Sequence, residues 1–182
     1  MRGRSQWIYV RIKEALINGF RGIDFMNLLL WRHAEAEDGF PDDMRRLTPR
    51  GEKQARKVAD WINTHAPKDL HILVSPAVRC QQTAKALNRS FVTDERLSTR
   101  SHSAGLLAAC GWLDRESAQS LQNTSVLIVG HQPTLGQTIA FLMSGTEDYW
   151  SVKKSSVWWL SGKVRDNGVR IGLKSVITPD CL

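Results

Sequence analysis

Leu28-Leu29-Leu30-Trp31-Arg32-His33-Ala34-Glu35 is the stretch on which the fold turns. Leu28 to Trp31 is apolar without alternation, as expected of a strand buried on both faces of a parallel sheet. The run ends on an arginine and a histidine. In open α/β sheets, ligands bind in the crevice beyond the carboxyl ends of the strands, so a guanidinium beside an imidazole at this place suits phosphate chemistry. An isolated Arg-His pair is also compatible with chance, and its meaning depends on what the other strand ends carry.

Working outward, Glu35 to Asp43 is acidic, contains Gly39 and Pro41, and reads as a loop. Thr48 followed by Pro49 is an N-cap with proline at the first helical position. Ala55, Val58, Ala59 and Ile62 then recur at helical spacing up to His65, with Pro67 just beyond. Leu70 to Val74 reads as a second strand, and Ser75-Pro76 predicts, by the same cap logic, a helix reaching about Asn88. Such β-α-β-α alternation implies a parallel sheet covered by helices. Phe91-Val92 reads as a short edge strand, Asp94 to Ser103 as a polar loop, and Ala104 to Gln119 as one or two helices around Gly111. Ser125 to Val129 is a third buried strand ending in Gly130-His131-Gln132-Pro133, and Thr134 to Met143 a further helix. Ser156 to Leu160 and Val169 to Val176 read as strands joined through Asp166-Asn167-Gly168, a hairpin signal. Trp158 and Trp159 fall on opposite faces of such a strand, so at most one points into the core, and the other meets a partner or a helix. The expected architecture is a three-layer α/β/α domain over residues 26–182 with a mainly parallel central sheet.

Composition narrows the function classes. With 42% hydrophobic and 24% charged residues in 182, the chain has the make-up of an ordinary globular domain. No apolar run approaches the roughly 18 residues of a membrane span. Cys80, Cys110 and Cys181 have neither metal-ligand nor paired spacing, and fit a reducing cytoplasm. The net charge of +7 invites a nucleic-acid partner, but its distribution does not. Arg2, Arg4, Arg11, Lys13 and Arg21 against Glu14 and Asp24 place part of the excess in the first 25 residues, and no basic block interleaved with aromatics follows. An anionic substrate explains the bias equally well. Within residues 1–25, Ile8, Ile12, Leu16 and Phe20 form a helical stripe. A membrane-surface helix or a targeting peptide is one reading. However, Arg11, Lys13 and Glu14 interrupt any secretory core, so these residues are taken as a non-native or loosely docked extension, with Met26 as the natural start.

Three strand ends now carry polar cargo: Arg32 and His33 after the first, Ser75 and Arg79 after the second, and His131 after the third. Singly, either arginine reads as a surface ion-pair partner and His131 as a helix-capping residue. Together, two guanidinium forks, two imidazoles and helix amino termini form a pocket for a dianionic phosphoryl group. Ser75, ahead of Pro76, reads as an N-cap rather than a nucleophile. His65, His71 and His102 match no motif. A metal at His33 with Glu35, Glu37 and Asp38 is opposed by the neighbouring arginines, and Thr48 and Arg50 border the site without an assignable role.

The strings Leu-Leu-Trp-Arg-His-Ala, Leu-Thr-Pro-Arg-Gly-Glu-Lys-Gln-Ala (47–55), Val-Ser-Pro-Ala-Val-Arg-Cys-Gln-Gln-Thr-Ala (74–84) and Val-Gly-His-Gln-Pro-Thr-Leu (129–135) resemble the histidine phosphatase superfamily, with its phosphoglycerate mutase-like fold. The Arg-His-Ala variant and the Gly-His-Gln-Pro sequence look most like SixA-type phosphohistidine phosphatases. The resemblance spans Met26 to about Leu142. It implies His33 as the nucleophile that carries the phosphoryl group, Arg32 and Arg79 as phosphate-binding residues, and His131 as a further catalytic and phosphate-binding residue. No metal or other cofactor is implied. It further implies a role in signal transduction, with a phosphohistidine-bearing protein such as a phosphotransfer domain as partner. A small-molecule phosphomonoesterase or mutase of the superfamily, and a non-catalytic phosphate-binding scaffold, are the alternatives.

The chain departs from the superfamily at one place. Larger members carry an acid in the loop after the second helix that protonates an alkoxide leaving group, and here Asp94-Glu95-Arg96-Leu97 is followed by Ser98. Phosphohistidine needs little such help, because its imidazole can leave neutral. Asp94 or Glu95 as a substitute acid keeps phosphomonoesters open. The short interval between Arg79 and His131 leaves little chain for a cap over the site, which favours a protein-borne substrate.

Overall fold

The computed structural model describes residues 26–110, 125–165 and 168–182. In chain order its elements are β1 (Met26–Arg32), α1 (Pro49–His65), β2 (Leu70–Val74), α2 (Val78–Lys85), β3 (Val92–Thr93), α3 (Ser103–Ala109), β4 (Ser125–Gly130), α4 (Thr134–Ser144), β5 (Val157–Arg165) and β6 (Gly168–Ile177). The strands form one six-stranded sheet in the order β3-β2-β4-β1-β5-β6. The first four are parallel, and the β1–β5 and β5–β6 pairings are antiparallel.

Both faces are covered, which explains the unbroken apolar runs of β1 and β4. Leu28, Leu30, Val126 and Ile128 point to one face and pack with Leu106, Leu135 and Ile139 of α3 and α4. Leu29, Trp31, Leu127 and Val129 point to the other, under Val58 and Ile62 of α1 and Cys80 and Ala84 of α2. Trp159 of β5 lies in this second layer, edge-on to Trp61, while Trp158 packs against the first beside Trp150. The tryptophan pair thus serves both cores rather than one.

Register brings the site together. Trp31 and Val74 are both level with Val129, so β1, β2 and β4 end in line. Because strand side chains alternate faces, His33 and His131, each two positions beyond this level row, leave the sheet on the α1/α2 side. Arg32 leaves on the other.

Local chemistry fixes the helices. Thr48 Oγ1 accepts from the Gly51 backbone N–H at 2.9 Å with Pro49 at the first helical position, as expected of this cap. Gly51 is required, since a Cβ there would lie 1.9 Å from the Glu35 carbonyl oxygen.

Several boundaries differ from the sequence reading. Helix α2 starts at Val78 with Ala77 as its N-cap residue and ends at Lys85, so Ser75 is not its cap. Ser75 Oγ is taken up by a tertiary hydrogen bond instead. The edge strand is Val92–Thr93, one residue later than expected, because pairing to Leu73 and Val74 sets its register. Of the expected 104–119 helical stretch, residues 104–110 are described, helical as far as Ala109. Strands β5 and β6 pair as an antiparallel hairpin as far as Arg165 and Gly168, and residues 166–167 of its turn lie outside the described residues, as does the whole 1–25 extension. Among the described residues, no helix is long and apolar enough to cross a membrane.

Candidate active site

His33 is built in by its backbone. Its N–H donates to the Gly130 carbonyl at 3.1 Å, and its own carbonyl accepts from Ser155 N–H at 3.1 Å. Ring Nδ1 lies 2.8 Å from the Ala34 carbonyl oxygen. A carbonyl can only accept, so Nδ1 carries the proton and Nε2 presents its lone pair. That lone pair receives the Arg79 Nε–H at 3.3 Å. Burial foremost, with the nearby charges of Arg79 and Arg32, pushes the His33 pKa down to about 3, so the ring is neutral at physiological pH.

The sequence placed His131 and Arg79 beside His33, and they are there. The two imidazole centroids are 5.3 Å apart. Nε2 of His131 lies 2.7 Å from Ser75 Oγ, and Arg79 Nη2 approaches its Nδ1 at 3.4 Å. Since the guanidinium only donates, Nδ1 is the acceptor and Nε2–H donates to Ser75. Burial, then the Arg79 charge, lowers the His131 pKa to about 4. Cys80 Sγ sits 3.5 Å from the same Nε2. Burial raises its pKa to about 12, which keeps it a thiol and a poor nucleophile.

Arg32 faces the site from the other side. Its Nη1 donates to the Val152 carbonyl at 2.7 Å, while Nε is buried with no hydrogen-bond partner among the described residues. Burial and the charge of Arg79 together pull the Arg32 pKa below the ordinary arginine value. Two crowded guanidinium groups and an unsatisfied donor are the features an anion would relieve. Around them is a cavity of about 300 Å³ lined by Arg32, His33, Arg79 and His131, together with Asp42, Arg45, Thr99, Gln132 and Lys154.

A family description, the histidine phosphatase superfamily (branch 1), matches residues 28–103. The phosphohistidine phosphatase SixA homolog of Haemophilus influenzae is 32% identical over 131 residues, 64% of this chain and 77% of that protein. The chain belongs to the histidine phosphatase superfamily. Escherichia coli SixA is 30% identical to it over 126 residues, covering 66% and 76% of the two chains. Among solved structures, a SixA protein histidine phosphatase complexed with tungstate superposes with a TM-score of 0.69 at 24% identity, over 86% of this chain and 99% of that one. The fold is shared more widely. A phosphoserine phosphatase of Entamoeba histolytica, in complex with phosphoserine, gives 0.61 at 18% identity over 86% and 99%, so fold alone does not select a substrate.

Other candidates in this histidine phosphatase stand elsewhere. Thr48 and Arg50 hold Glu35, the first through its hydroxyl at 3.1 Å and the second by an ion pair at 3.8 Å. Asp94 is pinned by Arg96 at 2.6 Å, which holds its carboxyl below the usual range, and neither it nor Glu95 lines the cavity. Among the described residues, no three His, Cys, Asp or Glu side chains are grouped to hold a metal ion. Sequence reasoning missed Asp42, Arg45, Thr99, Gln132 and Lys154. Asp42 stood in the acidic loop nine residues after His33 and Gln132 inside the Gly-His-Gln-Pro sequence, while the other three had no signal.

Proposed function

We propose that this chain is a phosphohistidine phosphatase, with Nε2 of His33 as nucleophile and a phosphohistidine-bearing protein as substrate. The observation that carries the reading is the His33 tautomer: Nδ1–H is spent on the Ala34 carbonyl, and the unprotonated Nε2, whose lone pair receives only the Arg79 Nε–H, faces a cavity shared with Arg32, Arg79 and His131. In-line attack forms the His33 nitrogen–phosphorus bond while the substrate's nitrogen–phosphorus bond breaks, its electron pair returning to the substrate imidazole. Water then attacks phosphorus, the His33 bond breaks, and both protons of that water go to phosphate and solvent. Arg32 and Arg79 neutralise charge on the transferring group. A bound dianion raises the His131 pKa and favours protonation at Nδ1, making this ring a donor to a phosphoryl oxygen.

The leaving group supports the substrate class. Asp42 is the only carboxylate among the described lining residues, and hydrogen bonds from Arg79 and Arg45 keep its carboxyl below the ordinary range, so it is ill suited to protonate an alkoxide. Imidazole needs no such donor. The exposed side chains of Phe40 and Met44, on the loop that carries Asp42, suit contact with a protein surface. A cytoplasmic phosphotransfer domain involved in signalling is a partner of this kind.

The test is to offer the full chain a ³²P-labelled phosphohistidine phosphotransfer protein and, separately, phosphoglycerate. Label trapped on His33, lost in His33→Ala, together with a preference for the protein substrate, is the expected result. Efficient ester cleavage without action on phosphohistidine points to the phosphomonoesterase alternative, and binding without labelling to the scaffold.

A further inference from the structure

In the resting pocket the principal cation already has a carboxylate. Arg79, only 4% exposed, donates from Nη2 to Asp42 Oδ2 at 2.8 Å and from Nη1 to the Asp42 backbone carbonyl. With its Nε on His33, all three of its nitrogens are engaged. The other oxygen of the same carboxylate, Oδ1, accepts from Arg45 Nη1 at 2.9 Å, and Arg45 is itself tethered through Nε to the Glu37 carbonyl at 2.6 Å.

We propose that Asp42 is an internal competitor for the phosphoryl site: its carboxylate takes up on Arg79 the place of a phosphoryl oxygen, yields to an incoming dianion, and returns to displace inorganic phosphate after hydrolysis. The inference rests on the reading of this cavity as a phosphoryl-transfer site, and adds to it a selectivity device and a product-release step. Three features make the exchange feasible. The Asp42 side chain is 54% exposed and sits on a short 3-10 turn, Asp42–Met44, with no buried residue, so it moves without disturbing either core layer. Gly39, at φ +154 with open space around it, supplies a left-handed joint at the base of the loop. Arg45, fixed to Glu37, offers the displaced carboxylate a second cation on the cavity wall.

Selectivity follows from charge. A monoanionic carboxylate holds the site against other monoanions but is outcompeted by a phosphoryl dianion, for which both arginines are available. After water has cleaved phosphohistidine, the tethered carboxylate competes at high local concentration with the free product. Lower product inhibition is the consequence.

The test uses the full chain as wild type, Asp42→Asn and Asp43→Asn, titrated calorimetrically with sodium tungstate and with inorganic phosphate. Asp43 is an exposed neighbour on the same turn, so its variant makes the same change in net charge. Removing a charge-assisted bond to Arg79 should tighten both anions about tenfold in Asp42→Asn, against less than about twofold in Asp43→Asn by general electrostatics. Product inhibition by phosphate should tighten in parallel, with circular dichroism unchanged. Should Asp42→Asn fold poorly, Asp42→Ser makes the same test. Equal affinities in the two variants, or weaker binding in Asp42→Asn, overturn the competitor role. If no variant binds either anion, the competitor role fails as well, and labelling of His33 then decides whether the phosphoryl-transfer reading fails with it.

Discussion

Ser75 Oγ and Nε2 of His131 lie 2.7 Å apart, a hydrogen bond across the ends of the neighbouring strands β2 and β4. The same oxygen accepts from the Ala77 N–H at 3.3 Å, so the hydroxyl is held from two sides and fixes the imidazole in one tautomer. Ser75→Ala removes that restraint. We expect kcat to fall about tenfold, the scale of one lost hydrogen bond, with KM little changed. Nitrogen-15 NMR of His131 should show mixed tautomers, a signature that simple loss of stability does not produce.

Arg79 contacts His33, His131 and Asp42 at once, a geometry that depends on a planar fork. Lysine keeps the charge but has one nitrogen. Arg79→Lys should therefore lose about 10²- to 10³-fold in kcat/KM, measured with a phosphohistidine protein, while still melting as a folded domain.

Stability should fall with acid. The His33 and His131 pKa values in the folded chain, about 3 and about 4, lie below the unfolded value of roughly 6.5. Between roughly 6.5 and these lower values, the unfolded state binds the extra protons and the native state does not. Unfolding free energy is thus largest above the unfolded pKa, declines as pH drops through that window by up to about 1.4 kcal/mol per pH unit for each histidine, and levels off below the folded values. Urea midpoints at pH 7.5, 6 and 5 check this, and His131→Gln should flatten the slope.

Gly136, in the first turn of α4, allows the chain at Trp150 to lie against it. A Cβ there would fall 2.0 Å from the Trp150 carbonyl oxygen, which also accepts from Gln132 Nε2 at 2.8 Å. Two residues on, Val152 supplies the carbonyl that holds Arg32. Gly136→Ala should cost about 1–3 kcal/mol by overpacking and lower kcat/KM by displacing Arg32. Thermal melts and kinetics of the same preparation check both.

Asp94 lies outside the cavity lining and is held by Arg96. Asp94→Asn should leave phosphohistidine turnover within about twofold, because the side chain is engaged by Arg96 and does not reach the cavity. A large loss, measured under single-turnover conditions, would restore it as a proton donor.

The sequence carried the skeleton of the site because β1 and β4 announce themselves by unbroken apolar runs and His33 and His131 follow directly. The motif order and the flush strand ends then leave His33, Arg79 and His131 few other places to go. What stayed hidden depends on contacts with no local pattern. Ser75 looked like a cap because serine before proline usually is one, yet its hydroxyl is drawn to His131 across the sheet. Asp42 looked like one acid in a solvated loop, since its partner Arg79 lies on another element. Lys154 and Thr99 come from irregular segments, where neither periodicity nor capping chemistry marks a position.

The placement of β1 has a consequence for how such a chain is made. Its two partners, β4 and β5, are both synthesised long after it, with Asn27 bonded to Ser125 98 residues downstream. A ribosome paused anywhere before Ser155 holds a first strand with its β5 flank unfilled and a His33 whose carbonyl still lacks the Ser155 N–H that anchors it. Competence therefore emerges in a single late step of translation, and no truncated nascent product should capture phosphate.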